Sequence, residues 1–489
     1  MSANALPPSP AIADYLRQFW LAAGGDPAHL ARVAITGEGA LPSVFAVTEF
    51  ATAAIGAAGL AMAEFAAAGA GAAGLGSTGP GASGLRPSGT GAIGQVTVDR
   101  RLASIWFGTS LRPVGWSAPP LWDAVAGDYR AADGWIRLHT NAPHHRDAAL
   151  AVLGVAADRD AVAQAVSRWR ADELEAAVVA RNGCAAAMRG IDAWRQHPQG
   201  RGVAEEPLLH RDAGPAAARP DWRVRRQRPL QGLRVLDLTR ILAGPVATRF
   251  LAGYGADVLR IDPPGWEEPG TVPEVVLGKR CARLDLKSAE GLATLERLLV
   301  GADVLIHGYR ADALARLGLD AERRRQLNPT LVDVSLDAYG WSGPWQARRG
   351  FDSLVQMSTG IAEAGMRAKG ADRPVPLPCQ ALDHATGYLM AAAAIRGLTE
   401  RLATGAGGST RASLARSAQL LITHGGMLEG GPALAPESEA DWSAAIEETS
   451  WGPAQRVKPP MRIEGTPESW DYPASALGSS EAVWRDAAR

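Results

Sequence analysis

Cysteine is scarce in this chain, which has three in 489 residues, and no two of them show a CxxC spacing. A disulfide framework and a structural zinc site both need clustered cysteines, so the sequence predicts neither. The three are Cys184, Cys281 and Cys379. Such sparse use of cysteine is typical of the reducing cytoplasm, where we expect this protein to act.

An excess of charge of one sign and long apolar runs are also lacking. The formal net charge is −1, so the sequence predicts no nucleic-acid partner. Residues 1–10 are polar and rich in proline, without the basic and apolar regions of a signal peptide. Residues 65–85 carry no charge over a membrane-like length, but they are mainly Gly, Ala, Ser and Pro. We therefore expect no membrane span there.

The length exceeds that of one ordinary hydrophobic core, so two or three domains are expected. The composition, 47% hydrophobic and 21% charged, is that of a globular protein. Changes in composition divide the chain into five segments: a helical segment with a Gly/Ala-rich loop (1–110), a small α+β domain (111–200), a linker (201–229), a Rossmann-like domain (230–425) and a C-terminal tail that docks on it (426–489).

The first segment contains a predicted helix, Glu49–Ala68, and a low-complexity stretch, Gly69–Gly94, which we interpret as a flexible loop. That stretch contains a formal GxGxxG at Gly69, Gly71 and Gly74. The dinucleotide-binding motif follows a strand, whereas this one follows a helix, so we assign it no cofactor.

The second and third segments differ in character. Trp135–His139 alternates like a strand, and helical periodicity follows over Arg146–Leu153 and Asp158–Arg181. These patterns predict the small α+β domain. Residues 201–229 are rich in Pro, Arg and Gly, which is typical of a linker.

From residue 230 onward, strand and helix patterns alternate. Strands are predicted at Leu233–Leu238, Ala256–Ile261, Asp303–Ile306 and Leu331–Leu336, and helices begin near Pro245 and after Ser288. Strands that alternate with helices predict a parallel, doubly wound sheet. The fold class is therefore α/β, a Rossmann-like parallel sheet with a smaller α+β domain.

Two parts of the chain echo each other. Thr48–Ala53 parallels Leu382–Gly387, each preceding an Ala-rich helix, and Val96–Gly108 loosely parallels Thr410–Gly425. The first half could hold a degenerate copy of part of the second. Two Ala-rich helices also resemble each other by chance, so both interpretations stay open.

An ordered set of sequence blocks resembles family III CoA-transferases, the formyl-CoA and carnitine CoA-transferase group. The blocks are Leu230–Pro245, Gly255–Pro264, Gly278–Lys287, Gly301–Ile306, Leu327–Ser335, Gly350–Asp352, Asp383–Gly387 and Pro473–Gly478. The segment Gly127–Leu153 is similar to the family's small domain, which normally follows the large one and here precedes it. The resemblance thus implies a family-like unit with a rearranged N-terminal half.

Asp383 falls where the family keeps its nucleophilic aspartate. The resemblance implies that this carboxylate accepts an acyl group from a thioester and then holds CoA, which is covalent catalysis in steps. The expected substrates are an acyl-CoA and a carboxylic acid, with CoA as a substrate and no permanently bound cofactor. By position alone, the favoured role of Asp383 is to cap the helix that follows, because most Asp residues before helices are caps.

The resemblance also implies a set of CoA-binding residues. The turn after the first strand of this region leads into a helix N-terminus, where free N–H groups favour phosphate. Arginine suits phosphate because its fork donates paired hydrogen bonds. The expected set is Arg240, Ile241, Ala243, Tyr309, Arg316, Arg349 and Asp352. Surface ion pairs or packing are the alternative roles for the arginines and Tyr309.

Two other functions stay open. CoA-thioester racemases resemble this chain almost as well, but their motif has His immediately before the residue matched by Asp352, and here Phe351 cannot act as a base. A catalytically silent CoA-binding paralogue is the third hypothesis. In it, Glu49 is either the relic of a duplicated nucleophile or a surface acid.

Three further expectations concern cofactors and assembly. Asp262 stands where NAD-binding folds place a ribose-binding acid, but the glycine fingerprint is missing, which disfavours NAD. His139, His144 and His145 have no partner with ligand spacing, so no metal site is predicted. The resemblance implies a homodimer, although the rearranged N-terminal half could replace some of its contacts.

Overall fold

The computed structural model describes residues 8–73, 92–309, 312–424 and 432–485. Its N-terminal elements are α1 (Pro10–Ala22), β1 (Val33–Thr36), α2 (Val47–Ala73), β2 (Val96–Asp99), α3 (Arg100–Trp106) and β3 (Leu111–Pro113). The helix predicted at Glu49–Ala68 is present as α2 and extends to Ala73. The remainder of the predicted loop, residues 74–91, lies outside the described residues.

Helix α2 is a buried crossover helix. It connects β1 to β2, which pair in parallel with Val33 opposite Val96. Within the described residues, Val47–Gly69 is the one stretch long and apolar enough to cross a membrane, yet 94% of its most apolar window is buried inside the protein. Its alanines and glycines present little side chain, so neighbouring helices approach closely.

A small α+β unit with its own core follows. Its antiparallel sheet has the order β4 (Gly127–Arg130), β5 (Trp135–Leu138), β6 (Ala185–Ala187), and its helices are α4 (Pro143–Leu153), α5 (Arg159–Val166) and α6 (Ala171–Ala180). The single helix predicted over Asp158–Arg181 is two helices. Asp133 accepts the backbone N–H of Ala171 at 2.8 Å, which begins a new helix at that residue.

The stretch predicted as a linker contains secondary structure. Two helices, α7 (Ile191–Gln196) and α8 (Pro198–Glu205), end close to its start, and β7 (His210–Ala213) pairs antiparallel with a strand of the large sheet. Short edge strands of this kind have no strong periodicity, since their partners determine them.

The C-terminal half forms the large sheet. Its strands are β8 (Arg234–Leu238), β9 (Asp257–Asp262), β10 (Arg280–Arg283), β11 (Val304–His307), β12 (Val332–Asp337) and β13 (Gly408–Ser413). Its helices are α9 (Ala243–Gly253), α10 (Val272–Val275), α11 (Ala289–Val300), α12 (Ala313–Arg316), α13 (Ala321–Leu327), α14 (Asp352–Thr359), α15 (Ile361–Ala368), α16 (Ala381–Thr404) and α17 (Leu414–Thr423).

The strand order is β10-β9-β8-β11-β12-β13-β7, parallel throughout except for the β13–β7 pair. The predicted α/β class with a doubly wound parallel sheet is confirmed. The chain builds outward in one direction from β8 to β10 and in the other from β11 to β13. A crevice forms at the carboxyl ends of strands where the winding reverses, which here is between β8 and β11.

The C-terminal tail joins both halves. It contains β14 (Trp442–Thr449), β15 (Gly452–Val457) and β16 (Met461–Ile463). β15 pairs with β3 and β16 pairs with β2, so the tail completes two sheets of the N-terminal half. It also contacts the large sheet unit, where the indole of Trp470 donates to the carbonyl of Arg249 at 3.0 Å.

The echoed segments share one topology. The order β1–α2–β2–α3 matches that of β12, α16, β13 and α17, with a parallel strand pair in each case. Asp99 caps α3 as Ser413 caps α17, and α2 packs along α16. Glu49 in the first turn of α2 is buried and paired with Arg100 at 2.6 Å, so it is not a surface acid. Duplication stays a prediction that this topology supports.

Candidate functional site

A cavity of about 320 Å³ opens at the carboxyl ends of β8, β11 and β12. It lies at the reversal of the sheet winding, where α/β folds bind ligands. Its wall includes the turn Leu238–Gly244, Gly308 and Tyr309, Leu336–Ala338, Gln346–Phe351, Asp383, His144, His145 and Trp266. The small unit contributes the two histidines, so both halves of the chain enclose the cavity.

Asp383 lies in the first turn of α16 with 7% of its surface exposed, and it lines the cavity. It does not cap the helix. Asp352 does so, since its Oδ2 accepts the backbone N–H groups of Leu382 at 2.8 Å and Asp383 at 3.0 Å. Among the described residues, no side-chain hydrogen bond holds the Asp383 carboxylate, which leaves it available to a ligand.

The two carboxyl groups influence each other's protonation. Burial, followed by the charge of Asp352, raises the pKa of Asp383 well above its ordinary value. Burial also raises the pKa of Asp352, to about 6, although hydrogen bonds from two backbone N–H groups and Gln356 oppose the rise. Three hydrogen bonds stabilise the anion of Asp352, whereas no side chain of the described residues donates to that of Asp383, so the proton of the pair resides preferentially on Asp383.

At one end of the cavity, an arginine side chain lies between two aromatic rings. The Arg240 guanidinium lies 4.6 Å from the ring centre of Trp266 and 5.2 Å from that of Tyr309, and it donates to the Tyr309 hydroxyl at 3.1 Å. Arg240 Nε is buried and, within the described residues, has no hydrogen-bond partner. The arrangement offers a charge for phosphate and flat faces for a base.

The turn after β8 is strained and held from below. Ile241 has φ of 65°, an unusual conformation for a β-branched residue, and its N–H donates to Glu268 at 3.1 Å. Glu268 also accepts from the Trp266 indole at 2.6 Å. One buried acid thus fixes the turn and the aromatic ring together. Strain of this kind persists where surrounding structure enforces it.

The helix that follows the turn begins at Ala243. Its first N–H groups have no intrahelical acceptor by position, so they suit an anion. Beneath the turn, the Lys279 ammonium contacts Asp237 at 3.0 Å and the Pro245 carbonyl at 2.9 Å. Burial lowers the pKa of Lys279 to about 8. This ion pair fixes the first turn of α9 against the sheet.

The structure separates the other predicted arginines. Arg349 lines the cavity and donates to the Asn182 carbonyl in the small unit at 2.7 Å. Arg316 is not among the cavity residues; its side chain is 55% exposed and pairs with Asp312 at 2.7 Å on the outside of α12. Asp352 lies behind the wall rather than on it. The structure therefore brings together Arg240, Ile241, Ala243, Tyr309, Arg349 and Asp383.

Phe351 is surrounded by histidines of the small unit. Its ring stacks on His139 with centres 3.7 Å apart, and His145 meets it edge-on at 5.8 Å. Burial lowers the pKa of His139 well below its ordinary value and that of His145 to about 3. Both rings are therefore neutral and weakly basic near pH 7. The described residues contain no group of three or more His, Cys, Asp and Glu positioned to bind a metal.

Asp337, at the end of β12, is a second acid of the cavity wall. Its Oδ1 accepts the Gly340 N–H at 2.8 Å, whereas Oδ2 is buried and lacks a partner among the described residues. Burial raises the pKa of Asp337 to about 8. Asp262 stands where NAD-binding folds place a ribose-binding acid. Here it is fully buried and paired with Arg260 at 2.8 Å, so it is not available to bind a ribose.

Sequence reasoning missed Trp266, Asp337 and the cavity role of His144. Trp266 stands in a turn rich in Pro and Gly, where no periodicity marks its direction. Asp337 ends a predicted strand, and position at a carboxyl end was the one signal that pointed to it. His144 comes from another segment of the chain, so nothing local indicated its neighbours.

Comparisons with known proteins find similarity mainly in the second half of the chain. The family model described as CoA-transferase family III matches residues 230–445. A probable fatty acyl-CoA transferase of Mycobacterium tuberculosis is 32% identical over 188 residues, which cover 36% of this chain and 47% of the relative. A succinate–glutarate CoA-transferase of Agrobacterium fabrum is 37% identical over 155 residues, covering 28% and 39%.

An acyl-CoA transferase of Gibberella moniliformis is 28% identical over 325 residues, covering 61% of this chain and 56% of the relative. A crystal structure of the M. tuberculosis protein matches 40% of this chain and 57% of its own, with 30% identity and a TM-score of 0.37. This chain spans about half or less of the length of the first two relatives. The similarity to CoA-transferase family III thus lies in residues 230–445, a little under half of the chain.

Proposed function

We propose that this protein is a CoA-transferase that moves CoA between an acyl-CoA thioester and a carboxylic acid through a covalent intermediate on Asp383. The observation that carries the proposal is the Asp383 carboxylate, which lines the cavity at the sheet reversal while another acid caps its helix. Relatives named as CoA-transferases support the reaction class.

The proposed steps balance without a further reactant. An Asp383 oxygen attacks the thioester carbonyl carbon, the C–S bond breaks, and CoA leaves as a thiolate. The thiolate then attacks the aspartyl carbonyl of the mixed anhydride and releases the first carboxylate. The acceptor carboxylate attacks the resulting aspartyl-CoA thioester, and the returning thiolate takes the acyl group from the new anhydride, which regenerates Asp383.

The nucleophile must be ionised, and the raised pKa of Asp383 opposes that. When Asp383 loses its proton, Asp352 at a pKa of about 6 can hold one, so the pair carries a single negative charge. The positive end of the α16 dipole favours that charge in the first turn of the helix.

The same proposal gives the nucleotide end of CoA to Arg240, Trp266, Tyr309 and the α9 N-terminus. A phosphate would accept from the guanidinium and the free N–H groups, and an adenine would stack on an aromatic face. Arg349 also lines the cavity, where a second anion would meet a positive charge.

Racemisation is less well supported. It requires a base to remove an α-proton, and Phe351 occupies the position of the racemase histidine. The neighbouring His139 and His145 are poor bases because burial lowers their pKa values. A silent CoA-binding paralogue remains the second candidate, favoured by the rearranged N-terminal half. We also propose that the protein acts in the cytoplasm and forms a homodimer.

The test is to trap the acyl-enzyme. The protein is incubated with a panel of acyl-CoA thioesters, treated with hydroxylamine and digested, and Asp383 is examined by mass spectrometry. A hydroxamate on Asp383, absent from Asp383→Asn and present in a variant of an exposed loop acid, Asp372→Asn, is the expected result. An unmodified Asp383 with no CoA exchange across the panel would refute the transferase. α-Proton exchange with deuterium instead would indicate a racemase.

A further inference from the structure

The cavity wall contributed by the N-terminal half is the first turn of α4. This helix begins at Pro143 after Ala142, whose side chain makes no capping hydrogen bond. His144 and His145 follow, and both line the cavity. His144 is exposed. The centre of its ring lies 6.3 Å from that of Trp266, which belongs to the wall formed by the large sheet unit. The two halves of the chain therefore meet at His144.

Positive charge concentrates around the His144 ring. Burial lowers its pKa first, then the charges of Arg349 and Arg240, while Asp147 on the same helix raises it. Other titratable groups of the wall are His145, Arg348, Asp337 and Asp383. The uncapped start of α4 adds the positive end of a helix dipole. Arg240 Nε is buried and makes no hydrogen bond among the described residues, and its ion pair with Asp262 is long, at 3.9 Å, so the guanidinium can still bind an anion.

We propose that His144 binds a phosphate group of CoA across the cavity from Arg240, so that the rearranged N-terminal half forms part of the nucleotide site. The inference rests on the proposed function, because it takes CoA as the ligand. Phosphate is preferred over the acceptor carboxylate, since His144 lies beside Trp266, and the rings of Trp266 and Tyr309 that flank Arg240 suit a nucleotide.

A proton accompanies this contact. In the free protein, burial and then the charges of Arg349 and Arg240 lower the pKa of His144, so the ring is neutral at pH 7. A phosphate dianion beside the ring favours the imidazolium, so the pKa of His144 rises when CoA binds, and the complex takes up a proton that the free protein lacks. Binding through His144 is then tighter at pH 6 than at pH 8. CoA phosphates also titrate near pH 6, so the contribution of His144 is the difference between wild type and a His144 variant.

The experiment is calorimetric titration with CoA at pH 6, 7 and 8, in buffers of different ionisation enthalpy, for wild type, His144→Gln and His29→Gln. His29 is a histidine outside the cavity and serves as the matched control. We expect His144→Gln to weaken binding about tenfold at pH 6 and less at pH 8, which is about 1.4 kcal/mol at the lower pH. Its proton uptake should fall below that of wild type, whereas His29→Gln should match wild type.

Pantetheine, which lacks phosphate, and succinate, a free carboxylate, are titrated in parallel. The proposal expects no difference between wild type and His144→Gln for either ligand. A difference with pantetheine or succinate, or equal CoA binding and proton uptake by wild type and His144→Gln, would overturn it. Because Asp383 trapping is measured separately, a trapped adduct without the His144 effect refutes this inference alone. CoA binding with the His144 effect but no adduct refutes the transfer reaction alone.

Discussion

At the residue scale, the central feature is that two neighbouring acids have different roles: Asp352 caps helix α16, and Asp383 lines the cavity. Asp352 accepts two backbone N–H groups and an amide, whereas Asp383 receives no side-chain hydrogen bond from the described residues. Position in the sequence makes either acid a plausible cap, because both precede or begin a helix. Which one accepts the free N–H groups of α16 depends on the fold of α14 against it.

The first prediction concerns the pH dependence of transfer. Asp352→Asn removes the negative charge beside Asp383, so the pKa of Asp383 should fall, although burial keeps it above the ordinary value. We expect the acid limb of the kcat/KM profile to move to lower pH by about one unit, with stability reduced by about 1 kcal/mol through the altered contact with Gln356. Initial rates of CoA exchange between pH 5 and 9 measure it; an unmoved limb would show that the two acids are not coupled.

A second residue-scale prediction concerns stability. Because the folded pKa of Asp337 is raised to about 8, its contribution to stability is present below about pH 4 and is lost as the pH rises towards 8. Asp337→Asn cannot ionise and keeps an acceptor for the Gly340 N–H. Relative to wild type, the variant should gain stability between pH 5.5 and 8.5, by on the order of 2–3 kcal/mol at most.

Thermal unfolding of both proteins at the two pH values measures this gain. The measurement at pH 5.5 is the internal reference, because less of the stability that Asp337 loses between about pH 4 and 8 has been lost there than at pH 8.5. A gain of equal size at both pH values would mean that packing, not charge, explains the variant.

At the element scale, the periodic strands and helices of the second half lie within a residue or two of their predicted positions. β8, β9, β11, β12, α9 and α11 all carry local signals: buried apolar runs, a proline in the first helical turn, and Ser288 as a cap whose Oγ accepts the Gly291 N–H at 3.0 Å. β7 and β16 carried none, because each is a short edge strand stabilised by a distant partner.

The N-terminal echo yields a prediction at this scale. Glu49 joins the first turn of α2 to Arg100 at the start of α3, in the place that Asp383 occupies in α16. If Glu49 has a structural role there, Glu49→Gln should lower the free energy of unfolding by about 1–3 kcal/mol, since Arg100 loses its counter-charge at a buried partner. The Asp383 hydroxamate should still form in the folded variant.

Chemical denaturation together with the trapping assay measures both effects. Glu38→Gln, which changes an exposed acid before the same helix, is the matched control and should unfold like wild type. Loss of the adduct in a stably folded Glu49→Gln protein would instead give Glu49 a part in the reaction.

At the scale of the whole molecule, a buried acid is one of the contacts that hold the small unit to the large sheet unit. Glu175 on α6 contacts Arg348 at 2.5 Å and Arg189 at 2.9 Å, and it accepts the Ala187 N–H at 2.8 Å. Arg348 precedes Arg349 and Phe351 of the cavity wall. The docking of the small unit and the shape of the cavity are therefore coupled through this acid.

The prediction is that Glu175→Gln leaves the largely buried Arg348 without its carboxylate partner, while Arg189 keeps Asp172, which costs about 3–5 kcal/mol. Thermal stability should fall, and the KM for acyl-CoA should rise more than kcat falls, because His144 and His145 are displaced from the wall while Asp383 is not. Glu173→Gln, an exposed acid of the same helix, should change neither quantity. A variant with lowered stability but unchanged KM would show that docking and substrate binding are independent.

The sequence by itself determined the α/β class and the alternation of strands and helices after residue 230, because burial periodicity, helix caps and turn residues are local signals. It indicated Asp383 as a nucleophile through its resemblance to a family, not through such signals. Only the tertiary structure decided that Asp352 caps α16, that Trp266 and His144 face Arg240, and that Arg316 lies outside the cavity. Such contacts join residues far apart in the chain. They depend on how strands pair and units dock, which no local pattern encodes.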